Sequence, residues 1–242
     1  MRILIVLPSY NEAKILEANV ARLLEFIRAN LNGYNFKIVI ADNNSRDNTK
    51  EAAMTICSKF PQVEYLFVPR QGKGNAISIS WQKDRDNFDI FIFMDADLAT
   101  DLGALPKLIS AIESGYDLAL GSRNLAESEV VRTSFRKFFS LGYRLILKII
   151  LGTRIKDMPC GFKAVNQKVV KQIAPQVQEQ TWFWDSELVY LAEKQGYKIK
   201  EVPVKWQEPR SGEDKSRVSF MQVSWLYLKK AWGLKFRKIN QG

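Results

Sequence analysis

The sequence of 242 residues contains no histidine. This absence excludes Ser-His-Asp and Cys-His catalysis and any metal site with a histidine ligand, because each of these needs an imidazole. Acid, base and metal-binding roles therefore fall to carboxylates. The chain has only two cysteines, Cys57 and Cys160. They are too few for a cysteine zinc site or a disulfide framework, and this usage indicates a reducing compartment.

Long hydrophobic runs are also missing. No stretch reaches the ~20 uninterrupted apolar residues of a transmembrane helix, and the best candidate, 141–152, is interrupted by Arg144 and Lys148. The N-terminal segment MRILIVLPSYNE has a short apolar core and no small-residue cleavage site, so it is not expected to be a signal peptide. We therefore expect a globular chain without a membrane span.

Acidic residues are in the minority. The 36 lysines and arginines exceed the 26 aspartates and glutamates, which gives a net charge of +10. Such an excess favours an anionic partner: nucleic acid, a phosphorylated substrate or an anionic membrane face. No nucleic-acid-binding motif is present, so we do not expect nucleic acid as the partner.

The first half of the chain alternates short apolar runs with segments of helical spacing. Apolar runs of this kind are typical of strands buried on both faces. The predicted strands are 2–8, 36–42, 63–68, 88–97 and 116–123, and the predicted helices are 11–30, 46–60, 72–83 and 102–115. This alternation indicates an α/β fold with a mostly parallel central sheet and helices on both faces. Further along we expect a long helix over 132–151, then a loop, a helix and one more strand.

Small, polar or charged residues follow all five predicted strands. These segments are PSYNE (8–12), DNNS (42–45), PRQGKGNA (69–76), DADLAT (95–100) and GSR (121–123). Ligands of such sheets bind beyond the carboxyl ends of the strands. We therefore expect the five segments to form a single rim for a polar ligand.

Asp95 and Asp97 are the candidate metal ligands. At positions i and i+2 of an extended chain their side chains would point the same way and converge on one cation. Mg²⁺ and Mn²⁺ prefer hard oxygen ligands, and substrate phosphates can complete their shell. An aspartate-rich turn is the structural alternative for this pattern.

Basic residues offer candidate phosphate ligands in two segments. In RQGKGNA, the glycines would let backbone N–H groups approach phosphate while Arg70 and Lys73 neutralise it. An ordinary glycine turn is the alternative there. Arg132, Arg136 and Ser140 share one face of the predicted helix 132–151, near Arg123, and arginine suits phosphate oxygens.

The last segment interleaves aromatic residues with basic ones. Its members are Trp225, Tyr227, Trp232, Phe236, Lys229, Lys230, Lys235, Arg237 and Lys238. This pattern is typical of an amphipathic helix at a membrane surface, and core packing of the aromatics explains it equally well.

Taken together, PSYNE, DNNS followed by RDNT, RQGKGNA, DAD and GSR, in this order and spacing, resemble the family 2 inverting glycosyltransferases of the GT-A fold. Segments 130–165, 182–192 and 201–208 are similar to the polyprenyl-phosphate branch, which includes dolichyl-phosphate glucosyltransferases and dolichol-phosphate mannosyltransferases. The resemblance implies a catalytic domain over 1–214, with a donor half (1–123) and an acceptor half (124–214). The amphipathic segment would follow at 215–242.

The resemblance also implies roles for individual residues. Asp95 and Asp97 would hold Mg²⁺ or Mn²⁺ on the diphosphate of a nucleotide sugar. The residues expected to bind the donor are Pro8, Tyr10, Glu12, Asp42, Asn43, Arg70, Lys73, Asp95, Ala96 and Asp97. Those expected at the acceptor phosphate are Arg123, Arg132, Arg136 and Ser140, and those with a direct part in catalysis are Asp97, Arg123 and Arg136.

Two departures from the family pattern bear on the donor. The family often has two aspartates where this chain has Asp42 and Asn43, and the mannosyltransferases commonly have glutamine at the place of Ala99. The first departure concerns recognition of the base. The second, Ala99, together with the glucosyltransferase-like segment CGFK (160–163), favours UDP-glucose over GDP-mannose.

The reaction implied is inverting transfer of a hexose to a polyprenyl phosphate. The protein would act in the cytoplasm, at the cytoplasmic face of a membrane, contacting the bilayer or a membrane-anchored partner. A lipid phosphate is already an anion and needs no general base, which agrees with the lack of histidine. The alternatives are a GDP-mannose donor, a non-lipid acceptor, a catalytically silent scaffold and a sugar-nucleotide pyrophosphorylase.

Overall fold

The computed structural model describes residues 1–131, 147–207 and 220–237, with side chains in the last range from Leu226 onward. Its strands are β1 (Arg2–Ser9), β2 (Asn35–Asp42), β3 (Val63–Phe67), β4 (Ile90–Met94), β5 (Leu118–Ser122), β6 (Glu129–Val131), β7 (Phe162–Asn166), β8 (Ile199–Pro203) and β9 (Lys205–Gln207). Seven of them form one sheet in the order β3-β2-β1-β4-β7-β5-β8, and β6 pairs with β9 in a second, two-stranded sheet.

The helices cover both faces of the large sheet. They are α1 (Ala13–Asn30), α2 (Thr49–Lys59), α3 (Lys73–Lys83), α4 (Leu105–Glu113), α5 (Gln167–Gln172), α6 (Trp184–Lys194) and α7 (Phe220–Phe236), with 3₁₀ turns at Leu102–Ala104 and Ala174–Gln176. Residues 147–151 are also helical. Of the long helix predicted over 132–151, the remainder lies outside the described residues.

Two hydrophobic clusters lie on opposite faces of the sheet because side chains alternate along a strand. Ile3 and Ile5 of β1 pack into one cluster, with residues of α1, α2 and α4. Leu4 and Val6 pack into the other, with residues of α3, α5, α6 and α7. Burial on both faces is the reason why these strands could be recognised as continuous apolar runs.

Most neighbours in the sheet are parallel, as predicted, but β7 is not. It lies between β4 and β5 and is antiparallel to both. The loop predicted from the sequence for this segment is therefore wrong. Strand β7 belongs to the expected acceptor half but lies between β4 and β5 of the expected donor half. The two halves therefore share one sheet.

The C-terminal helix α7 divides its side chains between core and solvent. Tyr227, Ala231 and Leu234 are buried in the second cluster. Trp232 and Phe236 are 58% and 66% exposed. Core packing therefore holds for one side of the helix, and the other side exposes two aromatic residues. Contact of that side with a membrane stays a prediction. Among residues 1–131, 147–207 and 220–237, no helix has the length and hydropathy needed to cross a membrane.

The start of α3 lies directly against the start of α6. Gly74 N–H donates to the Thr181 carbonyl (3.2 Å), and Asn75 N–H to the Gln180 carbonyl (2.9 Å). A Cβ atom at Gly74 would lie 2.3 Å from the Cβ of Trp184. Only glycine therefore permits this approach between the two helices.

We predict that Gly74→Ala lowers the free energy of unfolding by about 1–3 kcal/mol, because the added methyl group forces α3 and α6 apart. Chemical denaturation measures this change. Gly233→Ala is the matched control, because nothing lies within 4 Å of a Cβ at that helical position. It should leave stability unchanged or raise it by up to about 1 kcal/mol. Equal stability of the Gly74→Ala variant and the wild type would contradict the packing argument.

Candidate active site

The carboxyl ends of β1 to β5 lie at one edge of the sheet. Parallel pairings connect β1, β2, β3 and β4. Strand β5 has the same direction as β4, because β7 lies between them and is antiparallel to both. The five polar segments that follow these strands therefore meet at this edge. The single rim predicted from the sequence is present.

The segments after β1 and β2 are tied together by hydrogen bonds. Asn11 N–H donates to Ser45 Oγ (3.0 Å), and Asn11 Oδ1 accepts from Arg46 N–H (2.8 Å). Glu12 N–H donates to Thr49 Oγ1 (2.9 Å). These bonds fix the loop that contains Tyr10. The Tyr10 side chain is exposed, and Pro8 is half-buried.

Asp42 at the end of β2 is buried and already satisfied within the protein. Its Oδ2 accepts from the Tyr65 hydroxyl (2.9 Å) and its Oδ1 from Ser45 N–H (3.0 Å). Burial and the Asp42 carboxylate together raise the pKa of Tyr65 above its ordinary value. Asp42 therefore shapes the loop, and its direct contact with a nucleoside stays a prediction.

The glycines of RQGKGNA do not offer free N–H groups to phosphate. Gly72 N–H donates to Asn43 Oδ1 (2.7 Å), and Gly74 N–H is taken by Thr181. The expectation that these glycine N–H groups bind phosphate is wrong, because both already donate hydrogen bonds within the protein. Arg70 is exposed, and its carbonyl accepts from Asn75 Nδ2 (2.7 Å).

Strand β4 ends at Met94, one residue before the aspartates. Leu98 N–H donates to the Asp95 carbonyl (3.1 Å), and Ala99 N–H to Asp97 Oδ1 (3.1 Å). Asp95 and Asp97 thus lie in a turn and not on an extended strand. The expectation that their side chains point the same way because they are two residues apart on a strand is therefore wrong. Ala96 is buried, and its carbonyl accepts from Asn19 Nδ2 (2.9 Å). The joint binding of a metal by the two aspartates stays a prediction.

A cluster of four charged side chains lies beneath the turn that begins at Asp95. Lys73 Nζ is 2.8 Å from Asp95 Oδ1 and 3.2 Å from Asp185 Oδ2. Lys163 Nζ is 3.9 Å from the same oxygen of Asp185 and donates to the Cys160 carbonyl. Asp95 is the member that faces solvent, with 42% of its side chain exposed, against 8% for Lys73.

The two buried lysines respond to the cluster in opposite ways. Burial alone would lower the pKa of Lys73, but the charges of Asp185 and Asp95 outweigh it and raise the pKa. For Lys163, burial lowers the pKa, and Asp185 compensates only in part. Burial also raises the pKa of the Cys160 thiol to about 11, so this cysteine is protonated at neutral pH and unreactive.

Asp95 and Asp97 are the residues here that could hold a divalent metal. Carboxylate oxygens are the donors that Mg²⁺ and Mn²⁺ prefer, and Asp95 already binds one cation, the Lys73 ammonium. The residues present therefore fit the ion implied by the sequence. The described residues contain no cluster of three or more His, Cys, Asp or Glu side chains able to hold a metal.

Arg123 follows β5 and is held by a buried carboxylate. Its backbone N–H and its Nε donate to Asp157 Oδ2, and its Nη2 donates to Asp157 Oδ1, each at 2.8 Å. Burial opposes the charge on Arg123, but Asp157 outweighs it and raises the pKa of Arg123. A guanidinium has five N–H donors, so this pairing leaves donors for a phosphate. The other predicted acceptor residues, Arg132, Arg136 and Ser140, lie outside the described residues.

Sequence reasoning missed the buried partners of the site: Tyr65, Asp157, Lys163 and Asp185. For two of them a signal was present. Asp185 is the second residue of the helical run WDSELVYLA, in which every residue is buried, and Lys163 lies in the buried strand FKAVN. A charged residue inside an apolar run is a sign of a buried partner, because an unpaired buried charge is costly.

Several curated proteins are similar to this chain. Dolichyl-phosphate beta-glucosyltransferase of Saccharomyces cerevisiae is 30% identical over 84% of this chain and 66% of its own length. Dolichol-phosphate mannosyltransferase of Pyrococcus furiosus is 34% identical over 72% of this chain and 48% of its own length. Glycosyltransferase AglD of Haloferax volcanii is 31% identical over 85% of this chain. The chain spans only one third of the length of AglD.

Among solved structures, glucosyl-3-phosphoglycerate synthase of Mycobacterium tuberculosis, in complex with Mn²⁺, UDP-glucose and phosphoglyceric acid, has a similar fold. The TM-score is 0.68, with 97% of this chain and 79% of that chain covered at 18% identity. This likeness confirms the GT-A fold. The family model described as glycosyl transferase family 2 matches residues 4–174. The chain therefore belongs to glycosyl transferase family 2, as its motifs predicted, and is a glycosyltransferase.

Proposed function

We propose that the protein transfers a hexose, with glucose from UDP-glucose favoured, to a polyprenyl or dolichyl phosphate at a membrane surface. The observation that carries the proposal is the pair of Asp95 and Lys73 at the carboxyl end of the central strand β4. A partly exposed carboxylate next to a buried ammonium is complementary to a cation bound on a diphosphate. The names of the relatives, dolichyl-phosphate glucosyltransferase and dolichol-phosphate mannosyltransferase, support the acceptor class.

The proposed reaction is one in-line displacement. An oxygen of the acceptor phosphate forms a bond to the anomeric carbon as the bond to the nucleoside diphosphate breaks, and the configuration inverts. The phosphate is already ionised, so no residue has to remove a proton. A divalent cation held by Asp95 and Asp97 would stabilise the negative charge of the departing diphosphate. Arg123 positions the acceptor phosphate, and Lys73 contributes a positive charge on the donor side.

Glucose is favoured over mannose by two sequence features. Ala99 replaces the glutamine that is common in mannosyltransferases, and CGFK at 160–163 is similar to the glucosyltransferases. The similarity to the Pyrococcus furiosus dolichol-phosphate mannosyltransferase supports GDP-mannose as the second candidate. We propose that residues 1–123 bind the donor and that 124–214, with Arg132, Arg136 and Ser140, bind the acceptor. A non-lipid acceptor is the remaining alternative.

We propose that α7 contacts the membrane with its exposed face. Leu226, Trp232 and Phe236 are 45%, 58% and 66% exposed, and the exposed Lys229 and Lys235 accompany them on the helix. The other face is anchored, because Lys230 pairs with Glu179 and Arg237 with Glu187. Aromatic residues with lysines suit the headgroup region of an anionic cytoplasmic leaflet.

We predict that purified protein transfers glucose from UDP-glucose to a short polyprenyl phosphate in the presence of Mg²⁺ or Mn²⁺. Removal of the metal with EDTA should stop the transfer. Asp97→Ala should lower kcat/KM about 100-fold or more, because the cation that would stabilise the departing diphosphate loses one carboxylate ligand, and should leave the fold intact. A panel of UDP-glucose, GDP-mannose and other nucleotide sugars, with radiolabelled lipid product as the readout, identifies the donor.

The donor panel, the same assay with sugar or peptide acceptors, and the Asp97→Ala variant each decide one part of the proposal. Preference for GDP-mannose would replace the glucose donor by the mannose donor. Transfer to sugar or peptide acceptors with none to polyprenyl phosphate would refute the lipid acceptor. An active Asp97→Ala enzyme would refute the metal site.

We also predict that the double variant Trp232→Ala/Phe236→Ala binds vesicles containing phosphatidylserine at least tenfold more weakly than the wild type. The reason is that burial of each large apolar side chain contributes about 1.5–3 kcal/mol. Co-sedimentation measures the change. Met54→Ala, which removes a 52% exposed side chain from α2, is the control and should bind like the wild type. Unchanged binding of the double variant would leave a membrane-anchored partner protein as the explanation.

A further inference from the structure

The Lys73 ammonium is shared between two carboxylates of different exposure. Asp95, at 2.8 Å, is partly exposed at the rim, whereas Asp185, at 3.2 Å, has only 3% of its side chain exposed. An ammonium has three N–H donors, so it can hold both acceptors at once. Lys73 therefore has one partner that an incoming ligand can reach and one that it cannot.

The two contacts give Lys73 two stable arrangements. With both carboxylates bound, Asp95 has a counter-ion although no ligand is present. If Asp95 binds another cation instead, Lys73 remains paired with Asp185. No buried charge is then left without a partner, and the high cost of an unpaired buried charge is avoided. The rings of Phe93 and Trp182 lie 5.3 and 5.5 Å from the ammonium and provide a further favourable environment for its charge.

Asp185 has an unused capacity to hold this ammonium. Its Oδ1 is buried and makes no hydrogen bond within the described residues. Buried polar atoms usually have a partner, so this oxygen can accept a second hydrogen bond from Lys73 once the bond to Asp95 is released. Lys163, 3.9 Å from Oδ2, balances the Asp185 charge from the other side.

The backbone keeps Lys73 and Asp185 in register. The N–H groups of Gly74 and Asn75 donate to the carbonyls of Thr181 and Gln180. Asp185 lies in the first turn of the eleven-residue helix α6, where the helix dipole stabilises a carboxylate. The backbone positions of Lys73 and Asp185 are thus set by the fold and do not depend on a ligand.

We propose that Lys73 is the counter-ion of Asp95 in the donor-free protein and turns to the donor's diphosphate when Asp95 takes up a divalent cation, with Asp185 as the positioning residue that keeps the released ammonium in place. This exchange keeps the charge of the site nearly balanced in both states. The inference rests on the proposed metal at Asp95.

The test measures Mn²⁺ binding without nucleotide, by titration calorimetry. Lys73→Met should raise the affinity for Mn²⁺ about tenfold or more, because the competing positive charge next to Asp95 is gone. Asp185→Asn should lower the affinity for Mn²⁺ by a similar factor, because Asp95 is then the remaining carboxylate partner of Lys73 and the ammonium competes more strongly with the metal. At saturating Mn²⁺, Lys73→Met should bind UDP and GDP about tenfold more weakly, since one charge-assisted contact to the diphosphate is lost.

The matched controls use the ion pair of Lys37 and Asp84, 2.8 Å apart and also partly buried. Lys37→Met and Asp84→Asn should leave Mn²⁺ affinity unchanged. Lys73→Gln replaces Lys73→Met if the latter does not fold. If Asp185→Asn does not fold, the double variant Lys73→Met/Asp185→Asn takes its place. Its Mn²⁺ affinity should equal that of Lys73→Met, because Asp185 acts through Lys73, and a lower affinity would overturn the positioning role.

Damage to the fold cannot imitate the expected result, because it would weaken Mn²⁺ binding in both variants. Unchanged or weaker Mn²⁺ binding by Lys73→Met would overturn the exchange, and unchanged binding by Asp185→Asn would overturn the positioning role. In both cases a wild type that binds Mn²⁺ leaves the proposed function standing. A wild type that binds no Mn²⁺, with or without nucleotide, would overturn the exchange together with the proposed metal.

Discussion

Two ammonium groups and two carboxylates share one small volume under the polar rim, and none of the four can be buried there alone. Lys73, Lys163 and Asp185 are almost inaccessible to solvent, and the cost of isolating any one of them would be several kcal/mol. Each is carried by a different element: α3, β7 and α6. The cluster therefore requires that these elements meet β4 in one register, and the glycine at 74 allows the closest of these approaches.

Much of the fold could be predicted because its signals are local. Strands β1, β4 and β5 are buried on both faces, as parallel strands between two layers of helices are, and polar segments follow each of the strands β1 to β5. By contrast, β7 has five residues and contains Lys163, so its sequence indicates a buried charge but not its partner. That partner, Asp185, lies 22 residues further along the chain, and no periodicity reports such a long-range contact.

In the candidate site, too, some features have local sequence signals and others depend on contacts between residues that are distant in the sequence. The aspartates after β4 could be found because residue type and position point to the same chemistry. Their geometry could not, because the turn at Asp95 depends on residues that are distant in sequence: Asp95 N–H donates to the Gly161 carbonyl, and a Cβ at Gly161 would lie 2.1 Å from Asp95 Oδ2. Likewise, the glycines of RQGKGNA suggested a phosphate cradle, but their N–H groups bind Asn43 and Thr181, and the packing of Gly74 against Trp184 is a contact that the local sequence does not report.

The position of β7 also has a consequence for the order of folding. Among the described strands, β4 pairs with β1 and β7 only, so it has one neighbour until residues 162–166 have been synthesised. During synthesis the chain up to β5 thus exposes an apolar edge with unpaired backbone groups, which is a template for aggregation. The sheet can close only late, and a fragment ending before β7 would keep that edge open permanently.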